Sequence, residues 1–118
     1  MIKRLRSLFK RIYLSTPFPP HVQYCRYVLR HKRHVFKACM DMGVPLWVAL
    51  LHDWDKFLPD EWIPYVHTFY APDGSKQYKE SLAFSTAWLL HQNRNKHHYQ
   101  FWMLTWDRGN TDYLPMPD

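Results

Sequence analysis

The chain has 118 residues, 47% of them apolar and 22% charged, which fits one globular domain and excludes a disordered tract. Three glycines are too few for a glycine-cradle nucleotide fold or a turn-rich all-β protein, and no apolar run approaches the roughly 20 residues of a membrane span. The net charge of +6 is lopsided: residues 1–40 carry ten Lys or Arg and no acid, whereas residues 41–118 carry six basic and ten acidic side chains, so the first third favours a polyanionic partner. Ile2, Leu5, Leu8, Phe9 and Ile12 recur at helical spacing among Lys3, Arg4, Arg6, Lys10 and Arg11. Residues 1–16 are therefore expected to be a basic amphipathic helix. Such a helix can dock on the domain, lie on a membrane surface or touch nucleic acid, and docking is the default. Pro17, Pro19 and Pro20 are expected to end it and form a stiff connector to a helical domain over residues 17–118.

From His21 to Met42 the pattern is helical again, with Val28, Val35, Phe36, Cys39 and Met40 as an apolar stripe and Gly43 as its stop. Cys25 and Cys39, about 20 Å apart on one helix, cannot bridge and are expected to be reduced and buried, as in a cytoplasmic protein. Residues 45–57, PLWVALLHDWDKF, read as one nearly all-apolar core helix with a polar end. Leu58 to Glu61 is a helix start, followed by Trp62 to Tyr70. APDGSK, residues 71–76, is a loop. Residues 77–95 read as a further helix with Leu82, Ala83, Ala87, Trp88, Leu89 and Leu90 inward. A short aromatic helix around Tyr99–Trp106 and a turn-rich tail from Gly109 to Asp118 close the chain. The expected fold is an all-α, single-domain helical bundle of five to six helices.

Eight histidines are many for this length, and several sit at helix ends, where a buried metal site is built. On a continuous helix with His52 at 0°, Asp53 falls at about 100°, Asp55 at about 300° and Lys56 at about 40°, so these four share one broad face. In HQNRNKHH, a continued helix puts His91, Arg94, Asn95 and His98 on one face, whereas a break near Lys96 lets His97 swing in. From the second helix, His31 is preferred over His34 as the one nearer the polar ridge. His31, His52, Asp53, His91, His98 and His97 are thus the candidate metal ligands. Mixed His and carboxylate ligands suit one or two divalent transition ions such as Mn, Fe, Co, Ni or Zn. Such an ion lowers the pKa of a bound water and orients it for attack on phosphorus.

These residues resemble the HD superfamily of metal-dependent phosphohydrolases, whose pattern is a His, a later His-Asp pair and a distal Asp. Over about residues 28–118, HKRHV, LLHDWDKF, EWIPYV, AWLLHQNRNKHH and YQFW are similar to an uncharacterised family of bacteria and their phages with an HD-x-x-K-F core and an R-N-x-H-H block. Asp55 stands where that family usually has Ser. The chain also stops at LPMPD, short of the further helix that supplies acidic residues in related sequences. Asp107 is the best replacement here for the distal Asp.

The resemblance implies an HD-like domain hydrolysing a phosphate ester or nucleotide in the cytoplasm of a bacterial or phage-infected cell. In that scheme Asp55, Lys56 and Arg94 are catalytic: Asp55 orients the attacking water, while Lys56 and Arg94 neutralise charge on the phosphoryl oxygens. Lys56, Arg94, Asn95 and Tyr99 bind substrate, and the remaining aromatics pack the core. The competing class is a non-catalytic module on the same scaffold, holding nucleic acid through basic residues 1–37 or holding a protein. A third is a domain that the metal merely stabilises.

Overall fold

The alternation of cations and aliphatics near the start produces α1, Ile2–Ser15, in the computed structural model, which describes residues 1–116. None of its residues is buried, so the expected docking of this helix on the domain does not occur. The prolines do not form a separate connector. Pro19 and Pro20 are buried in the first turn of α2, Phe18–Asp41, where the proline nitrogen lacks only a proton the helix would not use. Gly43, at φ +71°, ends that helix.

The stretch expected as one core helix is broken in two. A short α3, Leu46–Leu51, ends at His52, whose backbone is extended (φ −58°, ψ 126°). Asp53 then takes the left-handed conformation (φ 53°, ψ 33°) and a 3-10 turn follows over Trp54–Phe57. The Lys32 ammonium on α2 donates to the carbonyls of Leu50 (3.2 Å) and His52 (2.8 Å), which fixes the end of α3 against α2. The apolar residues here are not core: Leu46, Trp47, Leu50, Leu51 and Trp54 are exposed, and only Ala49 of α3 is buried.

Helix α4, Pro59–Phe69, starts with Pro59 as anticipated. The loop over residues 71–76 is present, with Gly74 at φ +86° lying against Pro19. Helix α5 is shorter than expected, Leu82–Arg94, and is capped by the Ser81 hydroxyl, which accepts from the Phe84 amide. Its inward face is rotated from the expected one. Ala87 is buried as expected, but Leu82, Ala83, Trp88 and Leu89 are exposed, and His91 is buried in their place.

A 3-10 turn, Tyr99–Trp102, leads into a small antiparallel hairpin of β1, Met103–Thr105, and β2, Thr111–Tyr113. This hairpin replaces the far end of the expected aromatic helix and part of the expected tail, whose last two residues, 117 and 118, lie outside the described residues. The all-α class holds: five α-helices make one domain, and the hairpin is the sole sheet among the described residues.

The core joins α2, α4 and α5 through Tyr24, Val28, Tyr65, Val66, Tyr70 and Ala87, with Trp62, Phe69 and Phe84 packed on it. The Trp62 indole donates to His21 Nδ1 (3.0 Å), a further tie between α4 and α2. Cys25 and Cys39 are free, as expected, and half-buried rather than buried. No helix among the described residues is long and apolar enough to cross a membrane.

Candidate metal centre

Asp53 is buried and sits at the middle of the histidines. Its Oδ2 lies 3.1 Å from His31 Nε2, 3.4 Å from His52 Nε2 and 3.0 Å from the Lys56 ammonium. Its Oδ1 lies 3.1 Å from His97 Nε2 and 3.6 Å from His91 Nε2. His98 Nε2 in turn stands 3.0 Å from His91 Nε2. Two ligand groups therefore share one carboxylate: His31, His52 and Asp53 on one side, and Asp53, His91, His97 and His98 on the other. All six histidine and aspartate ligands anticipated from the sequence are brought together.

Local structure explains the convergence. His31 follows Tyr24 and Val28 at intervals of four and three, so it continues the buried face of α2 rather than a separate polar ridge. His34 is exposed and takes no part. The left-handed turn at Asp53, a conformation Asp tolerates better than most residues, aims the carboxylate inward. Helix α5 ends at Arg94 with Asn95 extended, the break that lets His97 swing in, and His98 comes in beside it.

The electrostatics follow from that packing. Burial pushes Asp53 up, but His52, His97 and Lys56 outweigh it and hold the carboxyl well below the usual range. Burial and the Lys56 charge lower His31, and burial with His97 and His91 lowers His98, so both favour the neutral, ligand-competent ring. Oδ1 of Asp53 is buried without a hydrogen bond although His97 Nε2 is 3.1 Å away. The two atoms are close without hydrogen-bond geometry.

Behind His91 stands a pair of fully buried carboxyl groups. His91 Nδ1 donates to Asp55 Oδ2 (2.8 Å) and to Glu61 Oε1 (2.9 Å), which leaves the Nε2 lone pair facing the centre. Burial and the neighbouring Asp55 push Glu61 up to about 7, against the pull of Arg94. Burial pushes Asp55 the other way from its partners, but His91 and Glu61 prevail and hold it low. Burial opposes the charge on His91, and Asp55 outweighs it, raising the ring.

Not every anticipated residue faces the centre. Lys56 does. Asp55 lies against Nδ1 of the His91 ring, whereas the centre is on the Nε2 side. Arg94 is turned away and held bidentately by Asp60 (2.9 and 2.6 Å) and by Glu61 (2.8 Å). Asn95 is buried and donates to the His91 carbonyl (2.8 Å). Tyr99 is exposed and outside the cleft. Asp107 is exposed between β1 and β2 and belongs to none of the ligand groups among the described residues.

Glu61 is hidden in the sequence because it belongs to a helix-start signal, where acids are ordinary. Its spacing from Tyr65 and Thr68 on one buried face of α4 was the available clue. Tyr65, expected as packing, is core and also carries a buried hydroxyl without a partner.

The centre floors a cleft of about 740 Å³. Its walls include Tyr27, Tyr65, Phe69, Phe84 and Trp88 as well as the ligand rings and Lys56. Residues 21–118 match the model of a family described only as a family of unknown function (DUF5662). No curated protein and no solved structure shows significant similarity to the chain.

Proposed function

The chain belongs to that family of unknown function, and from its geometry we propose a metal-dependent phosphohydrolase acting on a phosphate ester or nucleotide, sharing the His and His-Asp pair of the HD pattern, with histidines in place of its distal Asp. The spacing of the ligand atoms carries the reading. Donors about 2.1 Å from one ion stand roughly 3.0 Å apart at right angles and roughly 3.4 Å apart at the tetrahedral angle. The histidine contacts of Asp53 run from 3.1 to 3.6 Å, and His91 and His98 are 3.0 Å apart. The orphaned Asp53 Oδ1 is the atom that a second ion would satisfy.

His31, His52 and Asp53 would hold one divalent transition ion, and Asp53, His91, His97 and His98 the other. Bound ions supply a water of lowered pKa and a Lewis acid for a phosphoryl oxygen. The protein does the rest. Asp53 joins the two sites, and Lys56 sets a positive charge where phosphoryl charge develops. Asp55 and Glu61 fix the tautomer and aim of His91, so Asp55 is a positioning residue and not a holder of water. Arg94 acts through Glu61 in the same way. The aromatic walls accept a flat apolar group beside the phosphate.

Metal analysis of the purified chain, followed by a phosphomonoester, phosphodiester and nucleotide screen with Mn or Ni, tests this. The expected result is one to two ions per chain and turnover that chelator abolishes. Asp53→Ala should lose both ions, and His52→Ala and His98→Ala one each. Failure of the native chain to retain any ion at micromolar concentration would refute the reading.

A further inference from the structure

We propose that α1 is an in-plane binding helix for anionic lipid surfaces. At 100° per residue, Ile2, Leu5, Leu8, Phe9, Ile12 and Tyr13 occupy an arc of about 140°, and Lys3, Arg4, Arg6, Lys10 and Arg11 an arc of about 160° opposite. Leu14 alone falls among the cations. Both faces are unengaged: no residue of α1 is buried, and Ile2 and Phe9 are 66% and 68% exposed. Apolar residues so placed are an unsatisfied surface in water.

The charge decides what covers it. No acidic residue occurs before Asp41, so nothing within the first third offsets the five cations of the helix. A second copy laid against the apolar face would cover the aliphatics and leave both sets of cations, which face outward, without anions. A nucleic acid would satisfy the cations and leave the aliphatics and Phe9 wet. An anionic bilayer satisfies both at once, with the apolar face at the acyl boundary and the cations among the headgroups. The helix also lies outside the family match, which begins at residue 21. The buried Pro19 and Pro20 seat its base, with Pro19 in contact with Gly74.

Co-sedimentation of the full chain with vesicles tests this, using phosphatidylcholine alone and phosphatidylcholine with about one-third phosphatidylglycerol. Binding is expected to the anionic vesicles only and to weaken with salt. Leu5→Asp with Phe9→Asp should reduce it by at least about tenfold, because charge is placed on the apolar face. Lys3→Ala, Arg6→Ala and Lys10→Ala should each cost about fivefold. Since α1 buries nothing, these variants should melt with the wild type, which separates lost binding from lost fold. Three results would overturn the proposal: anionic vesicles left unbound, vesicle binding indifferent to Leu5→Asp with Phe9→Asp, or a solution dimer that this double substitution splits. Tight binding of duplex DNA or RNA in place of vesicles, indifferent to the same pair, would overturn it as well.

Discussion

As a ligand in the proposed centre, His91 would owe its aim to two carboxyl groups on its Nδ1 side. With Nδ1 committed to Asp55 and Glu61, the ring has one free lone pair and one direction in which to use it. Replacing Glu61 by Gln keeps the size and removes the charge, so the second ion should bind about 10- to 100-fold more weakly by competition titration. The same substitution has a pH signature in chelated protein. Glu61 is raised in the fold, to about 7, so its contribution to stability is complete below its unfolded pKa and is lost as pH rises through 7. His91, also raised, acts in the same direction, whereas the lowered His31 and His98 act in the opposite one. Thermal melts from pH 5 to 8 with chelator should therefore show Glu61→Gln gaining on the wild type as pH rises. A constant difference would mean Glu61 is already ionised throughout. Residue types were the most legible layer of the sequence: the His-Asp pair and the His91–His98 block announce candidate ligands, and Lys56 a cation beside them. Side-chain direction was not, and that is why Asp55, Arg94, Asn95 and Tyr99 are found facing elsewhere.

Among the elements, the two longest interior helices and α1 follow from periodicity, and Pro59 marks the start of α4. What periodicity could not supply is the break at His52–Asp53. The six-residue α3 is held by Lys32 from another helix and ends in a left-handed Asp, both tertiary facts. One continuous helical face therefore does not exist: His52, Asp53 and Lys56 meet at the break, and Asp55 lies against the Nδ1 side of His91. The β1–β2 hairpin was hidden for a related reason: its three-residue strands are too short to show alternation. Two glycines separate backbone strain from packing at this scale. Gly43 and Gly74 both have positive φ, but an added Cβ meets nothing at Gly43, whereas at Gly74 it meets the Pro19 carbonyl at 3.2 Å. Gly43→Ala should cost roughly 1 to 2 kcal/mol from conformation alone. Gly74→Ala should cost more, because the loop must also back away from the start of α2. Urea unfolding of both variants orders them, and an equal cost would show that this loop yields freely.

For the molecule as a whole, the interior is divided almost evenly between apolar and polar groups. Tyr24, Val28, Ala49, Tyr65, Val66, Tyr70 and Ala87 are buried, and so are Asp53, Asp55, Glu61, Thr68, His91 and Asn95. Many large apolar side chains stay outside, those of α1 and α3 above all. A core this small must hold together α2, the α3 end, α5 and the segment carrying His97 and His98, and the carboxylate at their centre is buried with an orphaned oxygen. Ions bound there would link all four segments and remove that penalty, so metal binding should act as folding energy. At one hundred times the dissociation constant the gain is about 2.7 kcal/mol, which for a domain of this size is on the order of 10 °C in Tm. Chelation should lower Tm by that order and readdition of Mn or Ni should restore it. Asp53→Ala, lacking the shared ligand, should melt at the same temperature with and without chelator. Stability alone does not distinguish a hydrolase from a domain that the metal only braces, since both lose it together. Lys56→Ala does: Lys56 is no ligand, so a hydrolase should keep its metal-dependent Tm and lose phosphate release, whereas a braced scaffold has no turnover to lose.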